Sequence, residues 1–114
     1  MPSETQAFMK GMGPRFVSPV MKGVRATCLL EIEGAGAWSL RIDDGTVSIG
    51  EGAAEASCTI QGSDHDMAMV LSGQQNLLTA AMQGRMSVSG DRALAQRIHQ
   101  MLRSMTQQER RATP

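Results

Sequence analysis

The sequence has no excess of either charge and no long apolar run. Its 11 Lys and Arg balance its 11 Asp and Glu, so no strong electrostatic field attracts nucleic acid or an anionic membrane. The local exceptions, Arg103, Arg110 and Arg111, indicate a solvated helix end and tail, with contact to a lipid headgroup or phosphate as the alternative. No apolar run approaches the roughly 18 residues of a membrane span, and residues 1–15 lack the pattern of a secretory signal. We therefore expect a cytoplasmic protein that binds no nucleic acid.

Catalytic and metal-binding signatures are also missing. Cys28 and Cys58 are too few and too distant in sequence for a disulfide framework or a metal knuckle. Neither His65 nor His99 has a partner at a metal-binding spacing, and we expect both at the surface. No nucleophile motif or phosphate-binding glycine loop occurs, and Asp44 suits a turn better than acid–base chemistry. We predict no metal, no cofactor, no catalytic residues and no enzymatic activity.

Methionine is abundant where aromatic residues are scarce. The 114-residue chain holds 10 Met against 2 Phe, 1 Trp and no Tyr. A methionine-rich core is the ordinary interpretation. The alternative is that flexible, polarisable thioether chains line a site that adapts to ligands of varying shape. The length suits one domain, and the 41% apolar content is too high for a disordered chain.

Segments that alternate apolar and polar residues predict five β-strands. They cover residues 24–33, 38–43, 47–49, 56–60 and 85–89. Asp44-Gly45 is a strong hairpin signal between the second and the third. Short strands joined by tight turns predict an antiparallel meander with one wet face. Cys28 and Cys58 lie in the apolar phase, which predicts buried, reduced thiols that lie close together if their strands are neighbours.

Apolar residues spaced by three and four predict helices around the strands. Ser63 begins one helix with a capping sequence and Gly73 ends it. Asn76 caps a second, shorter helix, and the last helix follows Gly90-Asp91. In residues 3–23 the helical spacing is interrupted by glycine and proline, which predicts two short helices, or a helix and an irregular segment.

The predicted elements indicate one two-layer domain. Because one sheet face is polar, helices must cover the other, which gives an α+β fold with a five-stranded, mostly antiparallel sheet. We assign residues 1–23 to an N-terminal helical segment of the same domain, 24–107 to its main body, and 108–114 to a polar tail.

Several short motifs resemble the sterol carrier protein type two domain family, also called the sterol-binding domain family, over Trp38 to Leu102. Each motif is weak alone, and their order and spacing carry the resemblance. The motifs are Ala37-Trp38-Ser39-Leu40, Asp43-Asp44-Gly45, Ala56-Ser57-Cys58-Thr59-Ile60, Asp66, Leu71-Ser72-Gly73, Met82-Gln83-Gly84-Arg85-Met86 and Val88-Ser89-Gly90-Asp91.

The resemblance implies an apolar tunnel between sheet and helices that binds fatty acyl chains, sterols or isoprenoids. This sequence departs from the family at its front, where the usual long first helix is truncated and broken at Gly13-Pro14 and Pro19. The departure favours an open groove over a closed tunnel. Trp38 is expected to pack in the core beside it.

We therefore predict non-catalytic binding or carrying of a hydrophobic ligand, with a lipid-like small molecule as partner. The alternative is a protein-interaction or accessory subunit module with an exposed apolar groove, for example in a lipid or quinone biosynthetic complex. Transient membrane contact and a homodimer are further partner hypotheses. The predicted ligand-binding residues are Met67, Val70, Leu71, Leu78, Met82, Met86, Leu94, Ile98, Met101, Leu102 and Met105.

Overall fold

The structure is a computed structural model that describes residues 4–112, with the backbone alone described at residues 4, 12 and 105–112. Its helices are α1 Glu4–Met12, α2 Asp64–Leu71, α3 Leu77–Met82 and α4 Arg92–Ala112, with a short 3-10 helix at Pro19–Met21. Its strands are β1 Arg15–Val17, β2 Arg25–Glu33, β3 Gly36–Asp43, β4 Thr46–Glu51, β5 Cys58–Ser63 and β6 Met86–Gly90. The predicted α+β class is confirmed.

The described strands form one mixed, six-stranded sheet in the order β1-β4-β3-β2-β5-β6. The prediction of five mostly antiparallel strands was wrong in two respects. First, β1 lies in the segment expected to be helical or irregular, where Phe16 pairs with Val47 of β4. Second, β2 and β5 pair in parallel, whereas the other pairs are antiparallel.

The parallel pair requires a crossing that a meander does not have. Since β4 and β5 lie on opposite sides of β3 and β2, residues 52–57 must pass across those two strands. The Ser39 hydroxyl donates to the Gly52 carbonyl oxygen at 2.8 Å, and the Ser57 N–H donates to the Thr27 carbonyl oxygen at 2.9 Å. This loop contacts Ser39 on the sheet face predicted to be wet, where Ser39 and its cross-strand partner Leu29 are both buried.

The helices cover the other sheet face and close the apolar core. The core cluster takes side chains from β2, β3, β4, β5 and β6 and from each described helix. Met9 is the contribution of α1, and Met21 is that of the 3-10 helix. Trp38 is half-buried and packs against this cluster, as predicted. Burial of apolar surface at about 25 cal/mol per Å² is the main stabilising contribution of such a layer.

The N-terminal helix is attached to the rest of the domain at α2. The Thr5 N–H donates to Asp64 Oδ1 at 3.0 Å, and its hydroxyl donates to the Asp64 carbonyl oxygen at 3.1 Å. Both Thr5 and Met9 are buried, so α1 is a packed element although glycine and proline follow it. At the other end, α4 continues to Ala112, beyond the start of the predicted polar tail.

Side-chain caps fix where the later helices begin. Ser63 Oγ accepts the Asp66 N–H at 3.1 Å at the start of α2, and Asn76 Oδ1 accepts the Thr79 N–H at 3.1 Å at the start of α3. Both caps confirm the sequence prediction and satisfy N–H groups that lack partners inside a helix. In the described part of the chain, no helix combines the length and apolarity needed to span a bilayer.

Candidate ligand-binding site

Most of the predicted ligand-binding residues lie inside the packed core. They are fully buried or nearly so, and they contact one another and the sheet: Met67, Val70, Leu71, Met86, Leu94, Ile98, Met101 and Leu102. Their inward phase is confirmed. Their contact with a ligand stays a prediction, and the side chain of Met105 lies outside the described residues.

Two of the predicted residues are exposed instead. Met82 has 89% of its surface exposed and Leu78 has 44%. Met82 is expected from the sequence to line a space between the sheet and the helices, and this placement is wrong, since the buried side of the six-residue α3 is formed by Leu77 and Ala80. Leu78 and Met82, one helical turn apart, therefore form an apolar ridge on the other side of α3.

This ridge is one wall of a groove between α3, β6 and the start of α4. The groove has a volume of about 500 Å³, which is within the roughly 300–1,000 Å³ of small-molecule sites. We call it the edge groove, because β6 is an edge strand of the sheet. It is lined by Leu78, Ala81, Met82, Met86, Ser87, Val88, Arg92 and Ala95.

The floor of the edge groove is placed by β5 and β6. Met86 pairs with Gly62 of β5, and a Cβ atom at Gly62 would overlap the Met86 sulfur. Because Gly62 has no side chain, the Met86 thioether can pack against the backbone of β5. Val88, two residues along β6, is half-buried on the same face of the strand.

The turn between α3 and β6 is held by polar contacts next to the groove. Arg85 forms an ion pair with Asp66 at 3.2 Å, and its guanidinium also donates to Gln83 Oε1 at 2.7 Å. Gly84, at φ +78°, takes the left-handed conformation that ends α3. These contacts join α2 to the α3–β6 turn and so fix one end of the groove.

The groove lining contains two polar side chains, Ser87 and Arg92. Arg92 is the first residue of α4 and is exposed. Beside it, Asp91 Oδ1 accepts the Leu94 N–H at 3.0 Å and caps the helix. Sequence reasoning missed Ala81, Ser87, Val88, Arg92 and Ala95 as lining residues. No local sequence signal marks them, because the groove forms only where α3, β6 and α4 meet.

His99 is buried, and the prediction of a surface histidine there was wrong. Only 5% of the residue is exposed, and neither ring nitrogen has a hydrogen-bond partner among the described residues. Burial first, and then the positive charge of Arg103, hold the pKa of His99 below its usual value. By contrast, His65 is exposed, as predicted.

The two cysteines are neighbours in the core. Cys28 and Cys58 are directly opposite in the parallel β2–β5 register, and both are free and buried. The interaction with the Cys58 thiol, followed by burial, raises the pKa of the Cys28 thiol. The predicted burial and proximity are confirmed.

No cluster of metal-ligating side chains is found in the described residues. None of their His, Cys, Asp and Glu side chains group in threes that could hold a metal ion. The Asp44 carboxylate accepts the Gly23 N–H at 2.8 Å, and the residue has a φ of +47°, which confirms its turn role. Asp43 forms an exposed ion pair with Arg25.

Known structures share this fold. The sterol carrier protein domain 2 of Helicoverpa armigera is similar with a TM-score of 0.70 and 20% identity, covering 92% of this chain and 90% of that chain. UbiJ-SCP2, a ubiquinone synthesis protein, is similar with a TM-score of 0.60 and 22% identity, covering 76% and 77%. The palmitated SCP2L2 from Aedes aegypti has a TM-score of 0.57 and 22% identity, covering 69% and 73%. At these identities the likeness shows the fold alone.

The family relation comes from the sequence itself. None of the curated proteins compared matches this chain. A family model, described as the SCP-2 sterol transfer family, matches residues 17–103. That span includes the whole lining of the edge groove and every strand from β2 to β6, and it begins at the last residue of β1. The chain therefore belongs to the SCP-2 sterol transfer family.

Proposed function

We propose that this domain binds a hydrophobic ligand, a fatty acyl, sterol or isoprenoid lipid, without chemical change, and that the ligand lies in the edge groove. The observation that carries the proposal is the exposure of Met82 and Leu78 on the wall of a preformed apolar groove. Covering apolar surface contributes about 25 cal/mol per Å², and most of that surface here belongs to Met82. An apolar ligand therefore gains most by lying against this ridge.

The composition of the groove suits a ligand of variable shape. Met82 on α3 and Met86 on β6 contribute flexible thioether chains to the lining. The remaining lining is small or branched and apolar, apart from Ser87 and Arg92. Few polar groups mean few constraints on ligand orientation, since polar groups fix the pose in such sites. Family membership and the palmitated relative of the same fold support a lipid as the occupant.

The test is native mass spectrometry of protein purified from cells, followed by solvent extraction of bound lipid. We expect lipid at close to one molecule per chain in the wild type. The Leu78→Ser/Met82→Ser variant is expected to lose it, whereas Val17→Ser, which changes an exposed apolar side chain of β1, is expected to retain it. A wild-type protein that carries no lipid and takes up none from vesicles would contradict the proposal.

A protein-interaction or accessory subunit role is the second candidate. The specific observation in its favour is that the edge groove runs beside the unpaired edge of β6, where an added strand could pair with the backbone. The fold likeness to UbiJ-SCP2 is compatible with it. A ligand-free, stable dimer in light scattering, with its interface at β6, would favour this role over lipid binding.

A further inference from the structure

Arg92 differs from Arg85 and Arg97 in having no partner among the described residues. Arg85 is paired with Asp66 and Gln83, and Arg97 donates from Nε to the Val20 carbonyl oxygen at 3.0 Å. Arg92 has no hydrogen bond or ion pair with any side chain in the described part of the chain, and it lines the groove. Its guanidinium is therefore available for a ligand.

The position of Arg92 is also electrostatically unfavourable for the fold. It is the first residue of the 21-residue α4, whose first turn holds no acidic residue. The N-terminal end of a helix carries a partial positive charge, so a cation there destabilises the helix by a few tenths of a kcal/mol. The Asp91 carboxylate at the cap of the same helix offsets this cost, so helix stability gives no reason of its own for a cation at this position.

The described lining of the edge groove contains no acidic side chain. Asp91 is absent from the groove lining, and its Oδ1 accepts the Leu94 N–H. The groove therefore presents one cation, with the Ser87 hydroxyl as the other polar group.

We propose that Arg92 binds the carboxylate of a long-chain fatty acid whose alkyl chain lies against Leu78, Met82 and Val88. The assignment rests on the proposed lipid-binding function and specifies its ligand class. A guanidinium donates two parallel hydrogen bonds to a carboxylate, which a hydroxyl headgroup cannot accept in the same way. Arg92 thus selects fatty acids over neutral lipids of the same chain length.

The test compares hexadecanoate with hexadecanol at pH 8, with each affinity measured by displacement of an uncharged fluorescent lipid. Arg92→Gln is expected to weaken hexadecanoate binding about fivefold, as for an exposed ion pair, and to leave hexadecanol binding unchanged. Arg92→Lys is expected to restore part of the loss. Arg103→Gln, which changes an exposed arginine of the same helix, serves as the matched control and is expected to have no effect.

Salt dependence separates a charge contact from a structural role. High salt is expected to shrink the preference of the wild type for hexadecanoate, because screening weakens exposed charge pairs, and to leave the Arg92→Gln variant unaffected. If both lipids bind but Arg92→Gln weakens both equally or neither, the assignment is wrong while the lipid-binding proposal stands. If the wild type binds neither lipid, the lipid-binding proposal fails and the assignment fails with it.

Discussion

The two helices that follow β5 place the same residue type in opposite environments. In α2, Met67 is fully buried between the helix layer and the sheet. In α3, Met82 is almost fully exposed on the wall of the edge groove. The difference shows that methionine in this protein serves two purposes. In the core it fills space that is already closed, and at the edge groove it leaves apolar surface that the chain itself does not cover.

The largest effect on stability is expected in the buried layer between the helices and the sheet, which contains Met67 and Met101 and which we call the core layer. Met67→Ala removes a fully buried side chain and leaves a cavity, which typically costs about 2–5 kcal/mol. We expect the free energy of unfolding, measured by urea denaturation, to fall by that amount. A loss below about 1 kcal/mol would mean that the core layer is loosely packed and that the contrast with α3 is overstated.

A smaller effect is expected where the core layer meets the groove. Gly62→Ala places a methyl group against the flexible end of the Met86 side chain, which must shift, so the loss of stability is expected at the low end of the overpacking range, about 1 kcal/mol. Because Met86 lines the edge groove, its displacement is also expected to weaken lipid binding. Gly50→Ala is the matched control, since Gly50 is a strand residue with no atom within 4 Å of the added Cβ. Equal effects of the two substitutions would contradict the account of the groove floor.

The pH dependence of stability tests the buried histidine of α4. Because burial lowers the pKa of His99 in the folded state, the unfolded chain binds more protons as the pH falls below the ordinary histidine value of about 6.5. The free energy of unfolding is therefore expected to decrease as the pH falls through that value, and His99→Leu is expected to show a smaller decrease. Parallel pH profiles for the two proteins, measured by urea denaturation at pH 8 and pH 5.5, would show that His99 contributes nothing.

The smallest effect on stability is expected at the exposed ridge. Met82→Ser removes a side chain with 89% exposure, and surface substitutions of this kind usually change stability by less than about 0.5 kcal/mol. Lipid affinity is nevertheless expected to fall, because the ligand loses apolar contact surface. Val17→Ser, at 75% exposure on β1, is expected to leave both quantities unchanged. A loss of stability comparable to that of Met67→Ala would show that Met82 is packed.

The local parts of the fold could be predicted because local patterns determine them. The alternation over residues 24–33 predicts β2, and Asp44-Gly45 predicts the hairpin between β3 and β4. The Ser63 and Asn76 caps mark the starts of two helices. By contrast, β1 has three residues and depends on pairing with distant β4. The parallel pairing of β2 with β5 depends on the path of residues 52–57, and periodicity carries no information about either.

The candidate site was predicted less well than the core. Helical spacing correctly identified the inward side of α4, where Ile98 and Met101 are buried. The expectation that His99 lies at the surface was wrong. His99 lies at the border of the apolar stripe of α4, where the type of residue does not determine whether it is buried. In six-residue α3 the period is too short to fix a phase, so Met82 was assigned to the wrong side. Arg92 could not be assigned because its role depends on a groove formed by three separate elements.

The most direct test of the central claim uses the methionine methyl groups themselves. In protein labelled at the methionine methyl carbons, a fatty acid with a nitroxide on its chain broadens the NMR signals of the methyl groups that it approaches. Ligand binding in the edge groove predicts strong broadening for Met82 and Met86, and much weaker broadening for Met67 and Met101 in the core layer. Strong broadening of Met67 and Met101 with Met82 unaffected would place the lipid between the layers and would contradict the account.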